Sequence, residues 1–166
     1  MYVHDLSEKY SVRPMTDADI PQMLSLCRGN PLYYQYCPPF VTAQSLAEDL
    51  RALPPKKTMD DKYFAGYFDG ERLVALLDLI LGFPDEHTAF IGFFMTAASV
   101  QRGGVGSAII AQLCAFLKSQ GFQSVRLGWI KGNRQSESFW HKNGFIETGV
   151  ESVQERYTVT IAQKEL

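Results

Sequence analysis

The alternation of apolar and polar residues predicts that helices and strands follow one another along the whole chain. Between 105 and 120, apolar residues recur every three or four positions, which is the spacing of an amphipathic helix. Other segments are short and apolar or alternate with period two, as strands do. These patterns predict strands at 10–14, 62–68, 72–82, 89–96, 122–130, 145–150 and 153–161, and helices at 16–28, 42–53, 105–120 and 134–143.

Residues that favour turns and helix ends stand at the predicted boundaries. Thr16 can cap the N-terminus of the first helix. Asp69-Gly70 is a typical two-residue hairpin turn, and Asn143-Gly144 favours the left-handed end of a helix. Periodicity alone therefore indicates a single α/β or α+β domain over residues 1–166.

Composition and charge narrow the class of protein. The 166 residues are 46% hydrophobic and 20% charged, which is typical of a soluble globular domain. A net charge of −2 gives no general attraction to nucleic acid or to an anionic membrane, so we expect neither as a partner. Without an apolar N-terminal signal or a stretch long enough to span a bilayer, the expected location is cytoplasmic.

The residues that most often bind metals show no ligand spacing. The three cysteines form no Cys-x-x-Cys pair, and the three histidines are far apart in sequence. We therefore expect reduced thiols and no metal site. The residues concerned are Cys27, Cys37, Cys114, His4, His87 and His141.

A glycine-rich segment, Val100–Ala108, joins the predicted strand 89–96 to the helix 105–120. The first N–H groups of a helix have no internal partner and point outward at the positive end of the helix dipole. Gly103, Gly104 and Gly106 have no Cβ, so a phosphate group can approach the backbone closely. The segment therefore predicts an anion site for a phosphate-bearing ligand.

Two common nucleotide-binding loops are excluded by the same residues. The segment lacks the Gly-Lys-Ser/Thr ending of a P-loop. It also lacks the third glycine of the dinucleotide fingerprint, because Ile109 stands at that position.

Two motifs resemble those of the GNAT acetyltransferase superfamily. Gln101-x-x-Gly104-x-Gly106 is similar to the family's pyrophosphate-binding loop, and Asn133-x-x-Ser136-x-x-Phe139-Trp140-x-x-x-Gly144-Phe145 is similar to its fourth helix and following turn. The order of the predicted elements is also that of the family. The resemblance implies a mixed, mostly antiparallel sheet with helices on both faces, and acetyl-CoA as the cosubstrate.

The resemblance also implies which residues contact the cofactor. Backbone groups at the end of the fourth strand would pair with the pantetheine arm, and the glycine loop would hold the diphosphate. The implied cofactor-binding residues are Phe94, Met95, Thr96, Ala97, Gln101, Arg102, Gly103, Gly104, Val105, Gly106, Ser107, Asn133, Ser136, Phe139 and Trp140.

Some of these residues have an alternative structural interpretation. Asn133 follows Gly132 and is equally suited to cap the next helix. A 3′-phosphate could be bound by nearby cations, although each one alone is better explained as a solvated surface residue. These cations are Arg102, Lys131, Arg134 and Lys142.

Trp140 stands where the family commonly has a tyrosine that protonates the leaving CoA thiolate. An indole N–H donates a hydrogen bond but keeps its proton near neutral pH, so Trp140 cannot be that acid. Packing beside Phe139, with a contact to the cofactor arm, is the preferred interpretation. A thiolate of pKa about 8.5 is still a tolerable leaving group without an acid.

The general base is not marked by any motif, because the fourth strand has no acidic residue. Asp78 is the first candidate, since it lies in an apolar strand where a carboxylate must be paired or used. A hydrogen-bonded structural aspartate is an equal alternative. Glu86, His87 and Tyr157 are weaker candidates.

An aromatic cluster between the first two helices, Tyr33, Tyr34, Tyr36 and Phe40, occupies the segment that lines the acceptor site in the family. We expect Tyr34 or Tyr36 to face the acceptor, against the alternative of simple packing. The resulting hypothesis is an N-acetyltransferase that transfers acetyl directly, in a ternary complex, to a primary amine of a small molecule or a protein. The alternative is a catalytically silent acyl-CoA-binding module, and the resemblance leaves a homodimer open.

Overall fold

The computed structural model describes residues 2–166, and its centre is one seven-stranded sheet in the order β1-β2-β3-β4-β5-β7-β6. Neighbouring strands are antiparallel, except that β4 and β5 are parallel. This confirms the expected mixed, mostly antiparallel sheet. The strands are β1 Ser11–Pro14, β2 Lys62–Asp69, β3 Arg72–Leu81, β4 Thr88–Thr96, β5 Ser124–Ile130, β6 Ile146–Val153 and β7 Thr158–Glu165.

Helices cover both faces of the sheet, as expected. The helices are α1 Ile20–Arg28, α2 Pro31–Tyr36, α3 Ala43–Asp49, α4 Val105–Ser119 and α5 Arg134–Lys142. One core joins α4 and α5 to the sheet through residues such as Leu113 and Trp140. The other joins α1 and α3 to the opposite face through Met23, Leu46 and Leu76. The two helix layers hold the sheet between them.

Several predicted boundaries were wrong; the second predicted helix, for example, ends at Asp49 rather than at residue 53. The helix predicted from Thr16 opens with a short 3-10 turn, Asp17–Asp19, before α1 begins. The segment between the first two predicted helices contains α2, which begins at Pro31. This helix is too short to show a hydrophobic period, so the sequence pattern did not reveal it.

Another difference lies in the final hairpin. β6 continues to Val153 and β7 begins only at Thr158, with Gln154 N–H donating to the Tyr157 carbonyl in the turn. A bulge between Glu147 and Glu151 interrupts the alternation that the boundary prediction relied on.

The parallel pair β4 and β5 separates at one end. Thr88–Ile91 pairs with Ser124–Leu127. Beyond Ile91 the two strands no longer pair, although β4 continues to Thr96. The backbone of Gly92–Thr96 is therefore free of β5 on that side. This opening in the sheet lies next to the N-terminus of α4, and together they form the candidate site.

Candidate functional site

The glycine loop forms an open cradle of backbone N–H groups. Gly104 precedes α4 with a left-handed backbone (φ +81°), and Ala108 N–H makes the first helical bond, to the Gly104 carbonyl at 2.9 Å. The N–H groups of residues 105–107 thus lie at the open end of the helix. A Cβ built on Gly104 would meet no atom within 4 Å, so the space above the loop is empty. A diphosphate group fits this cradle by charge and by room.

Gly106 serves a different purpose in the same loop. A Cβ there would lie 3.1 Å and 3.2 Å from two ring carbons of Phe139. The missing side chain lets α4 and α5 approach each other closely. Only Gly104 therefore faces open space in this pair, whereas Gly106 is required for packing.

A cleft of about 240 Å³ begins at the glycine loop and brings together most of the residues that the sequence pointed to. Of the expected cofactor residues, Phe94, Met95, Thr96, Gln101, Arg102, Gly104, Val105, Gly106, Ser107, Ser136, Phe139 and Trp140 line it. Lys142 lines it as well. Ala97, Gly103 and Asn133 do not.

Each of the three expected residues outside the cleft lining has another structural environment. Ala97 N–H donates to the Val74 carbonyl at 2.8 Å, and Gly103 is exposed in the loop. Asn133 is buried, and its side-chain oxygen accepts from Ser136 N–H at 3.2 Å. Asn133 therefore caps α5, which is the alternative that the sequence left open.

A second cavity of about 70 Å³ occupies the opening between β4 and β5. It shares four lining residues with the cleft, namely Tyr33, Phe94, Ser136 and Trp140. The two cavities thus adjoin where the edge of β4 is free of β5. An extended ligand anchored at the glycine loop would reach the sheet opening past these four side chains.

Trp140 is part of the core at this junction. It is 7% exposed, and its ring centroid lies 4.9 Å from that of Phe139, 5.1 Å from Phe145 and 6.0 Å from Phe94. The indole thus forms one wall of the cleft while packing against three aromatic rings. Packing and cofactor contact are compatible at this position.

Asp78 forms a buried ion pair outside both cavities. Lys62 Nζ lies 2.7 Å and 2.8 Å from its two carboxylate oxygens, and the Lys62 side chain is 1% exposed. A Cβ on Gly92 would lie 2.8 Å from one Asp78 oxygen, so this glycine makes room for the carboxylate. Burial raises the pKa of Asp78, and the hydrogen bond and charge of Lys62 oppose that rise.

This pairing agrees with the structural alternative for Asp78, while its role as a base stays a prediction. In the sheet, Asp78 lies opposite both Phe64 and Phe93, on the face covered by α1 and α3. The carboxylate is 13% exposed. It lies on the side of the sheet that also carries the aromatic cluster.

The weaker base candidates lie in two different places. Glu86 and His87 are exposed neighbours in the β3–β4 connection and line neither the cleft nor the second cavity. Tyr157 lies in the β6–β7 turn, near Cys37. Burial raises the pKa of Tyr157, and the Cys37 thiol adds to the rise.

The aromatic cluster places Tyr33, rather than Tyr34 or Tyr36, in the cleft. Tyr33 packs edge-on against Phe93 at 5.9 Å and against Tyr34 at 5.0 Å. Tyr34 points into the core beside Cys27, and burial together with that contact raises its pKa. Tyr36 is half-buried at the end of α2 and lines neither cavity. No local pattern distinguishes these tyrosines, because only the turn of α2 separates them.

A hydrogen-bonded clasp joins the glycine loop to the start of α2. Gln101 Nε2 donates to Asn30 Oδ1 at 2.5 Å and to the Thr96 carbonyl at 3.1 Å. Asn30 Nδ2 donates to the same carbonyl and to that of Leu26, both at 3.1 Å. The sequence analysis did not identify Asn30 as a site residue. Contacts between residues 71 positions apart leave no local signal.

The cations near the cleft differ in their partners. Lys131 pairs with Glu151 at 2.7 Å on the surface. Arg102, Arg134 and Lys142 form no ion pair within residues 2–166, and of the three Arg102 and Lys142 line the cleft. These two side chains therefore add positive charge at the cleft.

Within residues 2–166, the structure has no group of three or more metal-ligating side chains and no helix that could cross a membrane.

Comparisons with known proteins add to this geometry. The family model described as Acetyltransferase (GNAT) family matches residues 30–145. An acetyltransferase from Thermus thermophilus has a TM-score of 0.77 at 20% identity, with 100% of each chain covered. Comparison with curated proteins gave no significant match.

Two further solved structures have the same fold. PaiA N-acetyltransferase from Thermoplasma acidophilum, in complex with coenzyme A, has a TM-score of 0.68 at 17% identity, covering 95% of this chain and 99% of that one. The ribosomal-protein-S18-alanine N-acetyltransferase from Escherichia coli has a TM-score of 0.66 at 12% identity, covering 94% and 93%. At such identities these likenesses show the fold, whereas the family match spans most of the sequence. The chain belongs to the GNAT family of acetyltransferases.

Proposed function

We propose that the protein is an acetyl-CoA-dependent N-acetyltransferase whose acceptor is a primary amine. The observation that carries the proposal is the pair of adjoining cavities. One begins at the open N-terminus of α4, and the other lies in the gap between β4 and β5. An anion site next to a free strand edge suits a ligand with a diphosphate at one end and an amide-bearing arm at the other.

Different residues of this chain would bind different parts of acetyl-CoA. Backbone N–H groups of residues 105–107 hold the diphosphate, and Arg102 and Lys142 add positive charge. Along Gly92–Thr96, the free backbone of β4 pairs with the amides of the arm as a neighbouring strand would. When bound, acetyl-CoA supplies an activated thioester, so the protein needs mainly to hold and orient its two substrates.

The acceptor amine would enter from the side of α2. Tyr33 and Phe93 line the second cavity on this side, and Cys37 and Tyr157 lie near Tyr33. Both a small-molecule amine and a protein amine fit the proposal. Cys37 has no basic partner in this cluster, so direct transfer in a ternary complex is preferred over an acyl-enzyme.

A silent acyl-CoA-binding module is the second candidate function. Trp140 in place of a proton-donating tyrosine and the absence of an acid on β4 are the observations that favour it. Both candidates require coenzyme A binding and differ only in turnover.

A screen for thiol release from acetyl-CoA over a broad panel of amines tests the proposal, with coenzyme A affinity measured by calorimetry on the same sample. We expect binding and acceptor-dependent release of thiol. Binding with no release for any amine would favour the silent module, and absence of binding would overturn both functions. The extent of the domain, residues 1–166, stays a prediction that one sheet running from Ser11 to Glu165 supports.

A further inference from the structure

Transfer of the acetyl group leaves a negative charge on sulfur, and the family's usual proton donor is absent from α5. Trp140 occupies that position and is packed among three aromatic rings. A hydrogen-bond donor placed in advance near the sulfur would lower the cost of this charge. Given the proposed function, such a donor has to lie at the junction of the cleft and the sheet opening.

Four side chains line both cavities, and two of them carry a hydroxyl, Tyr33 and Ser136. Within residues 2–166 the Ser136 hydroxyl makes no hydrogen bond, so nothing fixes its direction; only its backbone N–H is bonded, to Asn133. The Tyr33 hydroxyl makes no hydrogen bond within these residues either, but its position is fixed by the ring that carries it. Its ring is held by Phe93 and Tyr34. Tyr33 is therefore the better oriented of the two donors.

The helix that carries Tyr33 is fixed to the cofactor side of the site. Tyr33 N–H donates to the Asn30 carbonyl at 3.2 Å, and the Asn30 side chain is bound by Gln101 and by the Thr96 carbonyl. The clasp ties the first turn of α2 to the end of β4 and to the glycine loop. The position of Tyr33 relative to the sheet opening is thus set by hydrogen bonds rather than by packing alone.

We propose that the Tyr33 hydroxyl donates a hydrogen bond to the coenzyme A sulfur as the thiolate leaves. The amine nitrogen bonds to the acetyl carbon, and the C–S bond breaks with its electron pair left on sulfur. The nitrogen gives up one proton to solvent, and the sulfur takes one from solvent. Tyr33 keeps its own proton throughout.

Retention of the proton follows from the surroundings of the phenol. Burial, and then the neighbouring Cys37 thiol, raise the pKa of Tyr33 well above its ordinary value of 10. The phenol therefore stays protonated over the range in which a thiol of pKa about 8.5 ionises. Tyr33 acts as a donor at every pH where the thiolate forms.

The test measures the thiol pKa of bound coenzyme A, which needs no acceptor. A donor that stabilises the thiolate lowers this pKa. We expect the pKa to be about 1 to 2 units higher in Tyr33→Phe than in the natural protein, the range given by a hydrogen bond to a charged group. The thiolate absorbance of the coenzyme A complex is followed against pH. The same titration of the desulfo-coenzyme A complex is subtracted, which corrects for the protein's own thiols and phenols.

Three further variants decide between donors. Tyr67→Phe removes another buried phenol, which lies on β2 and has no hydrogen-bond partner in the described part of the chain, and it is expected to leave the thiol pKa unchanged. If Ser136→Ala or Trp140→Phe raises the thiol pKa of bound coenzyme A while Tyr33→Phe does not, the role of Tyr33 is overturned. If coenzyme A binds to Tyr33→Phe and has the same thiol pKa as in the natural protein, the role of Tyr33 is overturned and the proposed function is not. Absence of coenzyme A binding overturns the proposed function as well, so the two failures are distinguishable.

Discussion

Replacement of Gly104 by alanine tests the glycine loop most directly. Gly104 has φ +81°, and a Cβ there meets no atom within 4 Å. The added methyl group therefore creates no clash inside the protein. It projects into the space where a phosphate would approach the N–H groups of α4, so its effect on binding can be separated from its effect on folding.

The substitution is expected to lower both the free energy of unfolding and the affinity for coenzyme A, for different reasons. A left-handed backbone costs a non-glycine residue about 1–2 kcal/mol, which lowers the free energy of unfolding. Loss of one charge-assisted hydrogen bond to phosphate costs a further ~1.5–3 kcal/mol in binding. Because 1.4 kcal/mol corresponds to a factor of ten, the coenzyme A dissociation constant is expected to rise about 10- to 150-fold.

Gly121 provides a matched control at the other end of the same helix. It has φ +93°, and a Cβ there also meets nothing within 4 Å. The 15 residues of α4 place it about 22 Å from Gly104. Gly121→Ala should therefore lower the stability by the same amount as Gly104→Ala while leaving coenzyme A affinity intact.

The assay is isothermal titration of each variant with coenzyme A, with urea unfolding of the same preparations. A dissociation constant for Gly104→Ala within twofold of the natural protein would refute the anion-site reasoning. Equal weakening by Gly121→Ala would do so too, because it would assign the loss to helix stability rather than to the site.

Two other predictions concern the charged pairs. Asp78→Asn leaves the Lys62 ammonium buried without the carboxylate that it contacts, and we expect urea unfolding to show that the free energy of unfolding falls by about 3–5 kcal/mol. The double variant Lys62→Met/Asp78→Leu should largely restore it. A fall of less than about 1 kcal/mol would contradict the buried-pair interpretation. Asp19 accepts two hydrogen bonds from Arg13 and one from Thr16 N–H, which lower its pKa from 3.8 to about 2, so its contribution is present above pH 3.8 and is lost as the pH falls toward 2. Because Arg13 is half exposed, the stability difference between the natural protein and Asp19→Asn should be only about 1 kcal/mol at pH 7. It should fall steeply between about pH 4 and pH 2 and vanish below pH 2, whereas a difference that grows in acid would refute the assignment.

Most of the fold could be predicted from the sequence, because the signals that define it are local. The strands and long helices show their period within a dozen residues, and turns such as Asp69-Gly70 are specified by adjacent residues. The glycine loop is likewise local, since the missing side chains and the following helix are enough to create an anion site. The resemblance to the GNAT family rested on two such motifs, and the family match agrees with it.

The tertiary structure decided which side chains meet. Tyr33 was distinguished from Tyr34 and Tyr36 only by the position of α2 against Phe93 and the sheet opening. The Asn30–Gln101 clasp and the Lys62–Asp78 pair join residues that are distant along the chain. Contacts of this kind depend on how strands and helices pack, and packing is a property of the whole chain that short sequence patterns do not encode.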